Sequence, residues 1–258
     1  MKRKTHIIAT IGPKSETEEV FSKMIPYVDS VRLNFSWGTH QEMENKINLI
    51  RKVSKESGKN ISIIQDLSGP RVQVGENHHF DNSKKSVITE KDIDDLSFGI
   101  KHKVDYVALS FVGSANDIKE LRLQMESLGA LIPVIAKVER REAVDNIEEI
   151  IEVTDAIMIA RGDLGEDFPI EEIPFIEHKI LSLCNKKERF VIVATEMLLS
   201  MVKNNRPTRA EVTDVAYAVT GGANAVMLSE ETAEGNDPVN VVEVLDRIVC
   251  YAEEQRSL

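Results

Sequence analysis

Lys137 and Glu139 end an apolar run, Pro133–Lys137, with a cation and a carboxylate two residues apart. Residues spaced by two on a strand project to the same side, so this sequence puts an ammonium beside a carboxylate at one strand end. A second run, Ala156–Ala160, is followed by Arg161-Gly162-Asp163. Glu139 and Asp163 offer hard carboxylate oxygens with no Cys or His cluster nearby, a donor set suited to Mg2+ or Mn2+. The plainer alternative is a pair of rim carboxylates salt-bridged to arginines. Beside a divalent ion, Lys137 can neutralise charge on a transferring phosphoryl group or on an enolate oxygen, and Arg32 can do the same. Gly162 and Asp163 lead into Leu164-Gly165, where backbone N–H groups can hold a carboxylate. The Thr195 hydroxyl can reach the same anion.

These residues need a scaffold that gathers strand ends. Apolar runs recur at His6–Ile11, Ser30–Phe35, Ser62–Asp66, Tyr106–Phe111, Pro133–Lys137, Ala156–Ala160, Phe190–Thr195 and Ala225–Leu228. Several are almost unbroken Val, Ile, Ala and Leu, as parallel strands covered on both faces require. Amphipathic stretches separate them, over Gln41–Ser57, Ile93–Lys101, Asp117–Ser127, Ala143–Val153, Phe175–Lys187 and Arg209–Val219. Thr89 with Asp92 reads as a capping box, and Asp237-Pro238 as an N-cap before a first-turn proline. Strand and helix alternating eight times predict an α/β fold, a (β/α)8 TIM barrel spanning residues 1–258, for which about 250 residues is usual. A doubly wound open sheet shares the alternation. In a barrel, catalytic groups occupy the C-terminal strand ends. Besides those named, that rule selects Asn34, Ser36, Asp66, Glu196, Ser229, Glu230 and Glu231. Residues 75–87 (GENHHFDNSKKSV) break the rhythm: polar and without helical period, they predict a surface loop or a short hairpin, with His78 and His79 exposed.

With 42% hydrophobic and 29% charged residues the composition is that of an ordinary globular protein. The net charge of −11 disfavours nucleic acid, and makes cations collected at strand ends more telling. No apolar run is long enough for a membrane span, and the start lacks a signal-peptide pattern. Cys184 and Cys250 match no metal or CxxC spacing and are expected to be reduced core thiols, which suits a cytoplasmic protein.

Further motifs carry a likeness. IATIGPKS (8–15), VRLNFSWGTH (31–40), QDLSGP (65–70), AKVE (136–139), IMIARGDLG (157–165), VATEMLLSM (193–201), RPTRAEVTDVA (206–216) and MLSEETAEG (227–235) resemble, in order, the barrel motifs of pyruvate kinases. The resemblance implies Lys137 as catalytic lysine, Glu139 and Asp163 as Mg2+ ligands, Thr195 in the substrate pocket and Arg32 on the transferring phosphate. It places Asn34, Ser36 and Asp66 at the family's monovalent-cation site, where Arg71 resembles the potassium-independent members and would stand in for K+. It implies pyruvate or phosphoenolpyruvate as substrate, with ADP/ATP as partner, and a homo-oligomer. The pattern also departs from the family. Residues 75–87 stand where a lid domain is usual, and the resemblance is to the barrel alone, so that the family's C-terminal regulatory domain is expected to be absent. Gln73, Trp37, Gly113, Leu67-Ser68, Glu196 and Glu230 replace residues common in the family, mostly towards the nucleotide.

Three functions follow from these readings. The first is a minimal pyruvate-kinase-like phosphotransferase, with Thr195, Ser229 and Glu231 near the enolate protonation. The second is a Mg2+-dependent aldolase or oxaloacetate-type decarboxylase that needs no nucleotide. The third is a non-enzymatic barrel that binds pyruvate or phosphoenolpyruvate.

Overall fold

The protein is described by a computed structural model over residues 3–74, 77–81 and 83–256. Eight strands form a closed barrel: β1 (His6–Thr10), β2 (Ser30–Asn34), β3 (Ser62–Asp66), β6 (Tyr106–Leu109), β7 (Val134–Val138), β8 (Ala156–Ala160), β9 (Phe190–Ala194) and β10 (Ala225–Leu228). Their order around the barrel is β1-β10-β9-β8-β7-β6-β3-β2. This is the (β/α)8 fold that the apolar runs predict, with strand ends displaced by no more than two residues. Two further strands, β4 (Arg71–Val74) and β5 (Asn77–Phe80), form an antiparallel hairpin in register Arg71↔Phe80. The polar segment thus begins as a hairpin. Gly75, Glu76 and Asn82, and the side chains of Gln73 and His78, lie outside the described residues.

The helices are α1 (Glu18–Met24), α2 (His40–Ser57), α3 (Glu90–Lys101), α4 (Ala115–Ser127), α5 (Arg141–Asp145), α6 (Ile147–Val153), α7 (Arg161–Asp167), α8 (Ile173–Lys186), α9 (Arg209–Thr220), α10 (Glu230–Ala233) and α11 (Pro238–Arg256). The Thr89–Asp92 capping box is formed in both directions at the start of α3. Asp237 Oδ1 accepts from the Asn240 N–H at 3.1 Å, capping α11 ahead of Pro238. The single helix expected over Ala143–Val153 is instead two, α5 and α6, parted at Asn146. The Asn146 amide donates to the Gly113 carbonyl at 2.8 Å, a tie outside the helix that its period cannot announce. The short helices α1, α7 and α10 are too brief to show a period.

Contacts gather the chain into two compact units. The first takes the residues up to Leu33, Gln41–Ile63 and those from Phe190 onward. In it β1 pairs in parallel with β10 (Ala9↔Leu228) and with β2 (Thr10↔Arg32), and β10 with β9 (Met227↔Ala194). Ile7, Phe21, Ile50, Val193, Val226 and Leu245 are buried in its core. At the strands' N-terminal side Arg3 ties three elements together. It pairs with Asp29 before β2 and with Asp246 of α11 (2.7 Å), and it donates to the Thr5 and Tyr27 carbonyls. Asp29 also accepts the Ile7 N–H at 2.9 Å. Burial opposes ionisation of Asp29, but the Arg3 and Ile7 hydrogen bonds outweigh it and hold its carboxyl below the usual range.

The second unit takes Asn34–His40 and Ile64–Arg189. There β3 pairs with β6 (Asp66↔Ala108), β6 with β7 (Leu109↔Ala136) and β7 with β8 (Lys137↔Met158). Leu67, Leu96, Ile118, Ile135, Ile159 and Ile180 form its core. Cys184 in α8 is fully buried and its thiol is pushed up to about 12 by that burial. Cys250 in α11 is only half-buried, so one of the two expected core thiols lies at the core margin instead. Both are free thiols.

Two outcomes follow. At Gly12, between β1 and α1, an added Cβ would stand 2.7 Å from Ala233 Cβ and 2.9 Å from its Cα and carbonyl oxygen, and that backbone cannot swing aside. Gly12→Ala is therefore expected to lower stability by about 2 kcal/mol, read from the urea midpoint. Because the Asp29 pKa is depressed on folding, its contribution is present above the unfolded value and lost as pH falls through the folded one. The stability gap between wild type and Asp29→Asn should be full at neutral pH and close below about pH 4, as followed by thermal melts.

Candidate active site

In the second unit the strand register sets the site. Asp66 lies level with Ala108, and Ala136 with Leu109, so Asp66, Ser110 and Lys137 reach the C-terminal ends of three neighbouring strands together. The Lys137 ammonium is 2.7 Å from Glu139 Oε1 and 3.2 Å from Asp66 Oδ1, and it donates to Ser110 Oγ at 2.7 Å. Ser110 Oγ donates in turn to the Leu67 carbonyl at 2.8 Å. Lys137, Glu139 and Asp66 are respectively 5%, 4% and 1% exposed, so each charge depends on the others rather than on water. Glu139 Oε2 accepts the Phe111 N–H at 2.6 Å. Burial pushes the Glu139 carboxyl above its ordinary range; Lys137 pulls it down, while the negative charges of Asp163 and Asp66 push with the burial.

Asp163 comes from the first turn of α7, with Gly162 beside it. That helix is anchored by its first residue: Arg161 Nη1 pairs with Glu177 of α8 at 3.1 Å, both side chains being buried. Arg161 therefore fixes the turn that carries Gly162 and Asp163. Glu139 and Asp163 interact as like charges in a buried setting, the condition a divalent cation relieves. Among the described residues no three or more His, Cys, Asp and Glu side chains form a complete cage. Mg2+ and Mn2+ need no such group, since they can bind through one or two carboxylates and complete their shell with water and substrate oxygens. The donor set fits the expected metal.

Beside Asp66 lies the segment after β2, joined to it by the Phe35 N–H donating to the Asp66 carbonyl at 2.9 Å. Asn34 Oδ1 accepts the Ser36 N–H at 3.1 Å, and Ser36 Oγ is buried with no hydrogen-bond partner among the described residues. Arg71 donates through Nε to the Ser68 carbonyl at 3.2 Å and faces the Phe111 ring at 6.0 Å. Over Gly113 lies the Arg140 guanidinium, with Nη2 2.3 Å from where a Cβ would be. Arg140 and Glu142 thus fill the space in which a side chain at 113 would begin. Trp37 is 58% exposed.

The first unit holds the other expected residues. Arg32, the middle residue of β2 rather than its end, donates to Thr10 Oγ1 at 3.3 Å, and Thr10 donates to the Leu228 carbonyl at 2.9 Å. After β9, Thr195 and Glu196 both have left-handed backbones (φ 69° and 54°), which costs about 1–3 kcal/mol for each such non-glycine residue. Glu231 holds this turn: its oxygens accept the Leu198 N–H at 3.0 Å and the Ser229 N–H at 2.7 Å. Burial, reinforced by Glu230, pushes its carboxyl up against those hydrogen bonds. Ser229 Oγ is buried without a partner among the described residues. Glu231 thus braces backbone, and Ser229 keeps a hydroxyl unengaged. Sequence reasoning missed Ser110, Phe111 and Thr10; the SFV motif after β6 and the ATIG motif after β1 were the available signals.

The structure thus sets a buried lysine between carboxylates at the C-terminal strand ends of a (β/α)8 barrel. The family model for the pyruvate kinase barrel domain matches residues 2–87 and 77–242. A pyruvate kinase of Sporosarcina psychrophila is 36% identical over 335 aligned residues, covering 97% of this chain and 57% of the relative. One from Staphylococcus aureus (strain MRSA252) is 36% identical over 334, with the same coverage. The chain belongs to the pyruvate kinase family, through its barrel domain. It spans just over half the length of these relatives. The first alignment has 335 positions against 258 residues here, so that relative carries at least 77 aligned residues with no counterpart (335 less 258). Among the described residues no helix is long and apolar enough to cross a membrane.

Lys137→Met leaves two buried carboxylates without their ammonium. It is expected to cost about 3 kcal/mol near neutral pH, with the deficit shrinking in acid as Glu139 and Asp66 take up protons. Urea denaturation of both proteins across pH measures it.

Proposed function

We propose that this chain transfers the phosphoryl group of phosphoenolpyruvate to ADP, giving pyruvate and ATP. The observation that carries the reading is the buried Lys137 held by Glu139, Asp66 and Ser110 with Asp163 nearby. A cation in low dielectric, fixed from three sides, is pre-organised for charge that develops on a phosphoryl or enolate oxygen. Glu139 and Asp163 would hold Mg2+ (or Mn2+), which when bound supplies further neutralisation of phosphate charge. Lys137 can exchange its longest contact, the 3.2 Å one to Asp66, for the oxygen that bridges phosphorus and the enol carbon. As that P–O bond breaks, the electron pair stays on the oxygen and the ammonium steadies the enolate. The terminal ADP oxygen forms the new P–O bond, and a solvent proton delivered past Thr195, Ser229 and Glu231 to the methylene carbon would complete pyruvate. The first turn of α7, with Gly162, would receive the carboxylate.

For Arg32 and Thr195 the proposal keeps the roles the resemblance implies, and it sets Ser229 and Glu231 with Thr195 at the enolate protonation. Arg32 contacts phosphate, Thr195 and Ser229 contact substrate, and Glu231 supports their turn. Asn34, Ser36 and Asp66 would hold a monovalent cation, to which the Ser36 hydroxyl gives an oxygen not otherwise engaged. Arg71 in place of K+ is the alternative within this proposal. The β4–β5 hairpin is proposed to stand where the relatives carry their additional residues.

That same shortfall of aligned residues favours a second reading, Mg2+-dependent enolpyruvate chemistry without nucleotide, by aldol cleavage or decarboxylation of an oxaloacetate-type acid. One assay separates the two: pyruvate and ATP formed from phosphoenolpyruvate, ADP and Mg2+, with and without K+, for wild type and Lys137→Met. The kinase reading expects turnover that requires ADP and falls by about 10²–10³-fold in Lys137→Met. Pyruvate released from oxaloacetate without ADP would move the assignment to the second reading. Metal-dependent pyruvate binding with no turnover on either substrate would leave a binding barrel.

A further inference from the structure

We infer that the β4–β5 hairpin positions the carboxylate Glu139 through Phe111, which makes Phe80 a positioning residue for the metal site from outside its ligand set. The inference rests on the proposed metal role of Glu139.

Phe111 is where the hairpin and the site meet. Its backbone is left-handed (φ 56°), unusual for an aromatic residue, and such a conformation persists only where the surroundings over-determine it. They do so here. Its N–H donates to Glu139 Oε2 at 2.6 Å, and its carbonyl accepts from Arg140 Nε at 2.9 Å. A Cβ on Gly69 would lie 2.8 Å from the Phe111 ring, so the backbone there comes as close as glycine allows. The hairpin supplies the remaining contacts. The Phe80 ring lies 5.6 Å from that of Phe111, the Arg140 guanidinium is 4.2 Å from the Phe80 ring centre, and Arg71 faces Phe111. Phe80 therefore touches both the ring of Phe111 and the arginine that holds its carbonyl.

The hairpin has a second anchorage. His79 Nδ1 is 2.6 Å from Glu166 Oε2 on α7, one turn after Asp163. A single hairpin thus bears on the segment that orients Glu139 and on the helix that carries Asp163. Without Phe80, Phe111 loses an aromatic contact that favours its strained backbone. Its N–H can then turn from Glu139, whose Oε2 loses the donor that orients it. Partners of this kind tune metal affinity although they touch no metal.

The test is Mn2+ binding to the full chain without substrate, following free Mn2+ by electron paramagnetic resonance. Phe80→Ala should weaken binding by about tenfold, and Phe80→Tyr, which restores the ring, should bind as wild type does. Far-UV circular dichroism and the urea midpoint check the fold. If the alanine variant unfolds, Phe80→Leu keeps an apolar contact without the ring stack and should weaken binding in the same direction. Equal Mn2+ affinity in wild type and the folded Phe80 variants would overturn the inference while leaving the metal site standing. No Mn2+ binding by wild type, or binding undiminished in Glu139→Gln, would remove the metal role of Glu139 and this inference with it.

Discussion

An ammonium withdrawn from water must be matched by negative charge at contact distance, and the second unit is arranged around that requirement. Lys137 is matched by carboxylates from two strand ends and by a serine from a third. Glu139 follows Lys137 on its own strand, but Asp66 and Ser110 would not meet it if β3 or β6 were shifted by one residue against β7, because side-chain direction alternates with each step. The register is fixed elsewhere, by the Val, Ile, Leu and Ala side chains that fill the strands on both faces. Apolar packing thus sets a polar geometry it never touches. The carboxylates outnumber their cation, and the excess negative charge is what a divalent ion would answer.

Backbone strain recurs at strand ends within each unit. Phe111 follows β6, and Thr195 and Glu196 follow β9, all in left-handed conformations that cost free energy outside glycine. In each case buried hydrogen bonds hold the turn: Glu139 and Arg140 at Phe111, and Glu231 beyond Thr195 and Glu196. The pattern suits strand ends that must expose chosen side chains at fixed angles, where a regular turn would point them elsewhere.

The fold could be read from the sequence because its signal is local. Unbroken apolar runs mark strands such as Ala156–Ala160 to the residue, and Thr89 with Asp92 marks the opening of α3. The chemistry of Lys137, Glu139 and Asp163 was legible for a related reason, since charges that end apolar runs have few structural explanations. What escaped depends on partners distant in the chain. Asn146 interrupts a helix because of Gly113, and Arg140 fills the space over Gly113 because a neighbouring loop brings it there. Ser110 matters only once the register sets it opposite Lys137. The polar stretch near residue 80 gave no period because the hairpin is short and its ring contacts are with Phe111 and Arg140, remote in sequence.

The pairing of β1 with β10 has a consequence for how the molecule comes into being. Ala9 lies beside Leu228, and Arg3 reaches Asp246, across more than two hundred residues of intervening chain. On a ribosome the first strand is made long before its neighbour exists, so one of its edges stays unsatisfied while most of the barrel is translated. An open edge is a template for wrong pairing, and closing so large a loop is slow. Arg3, just ahead of that strand, can make its ion pair with Asp246 only once α11 is in place, so the clasp on this edge closes late.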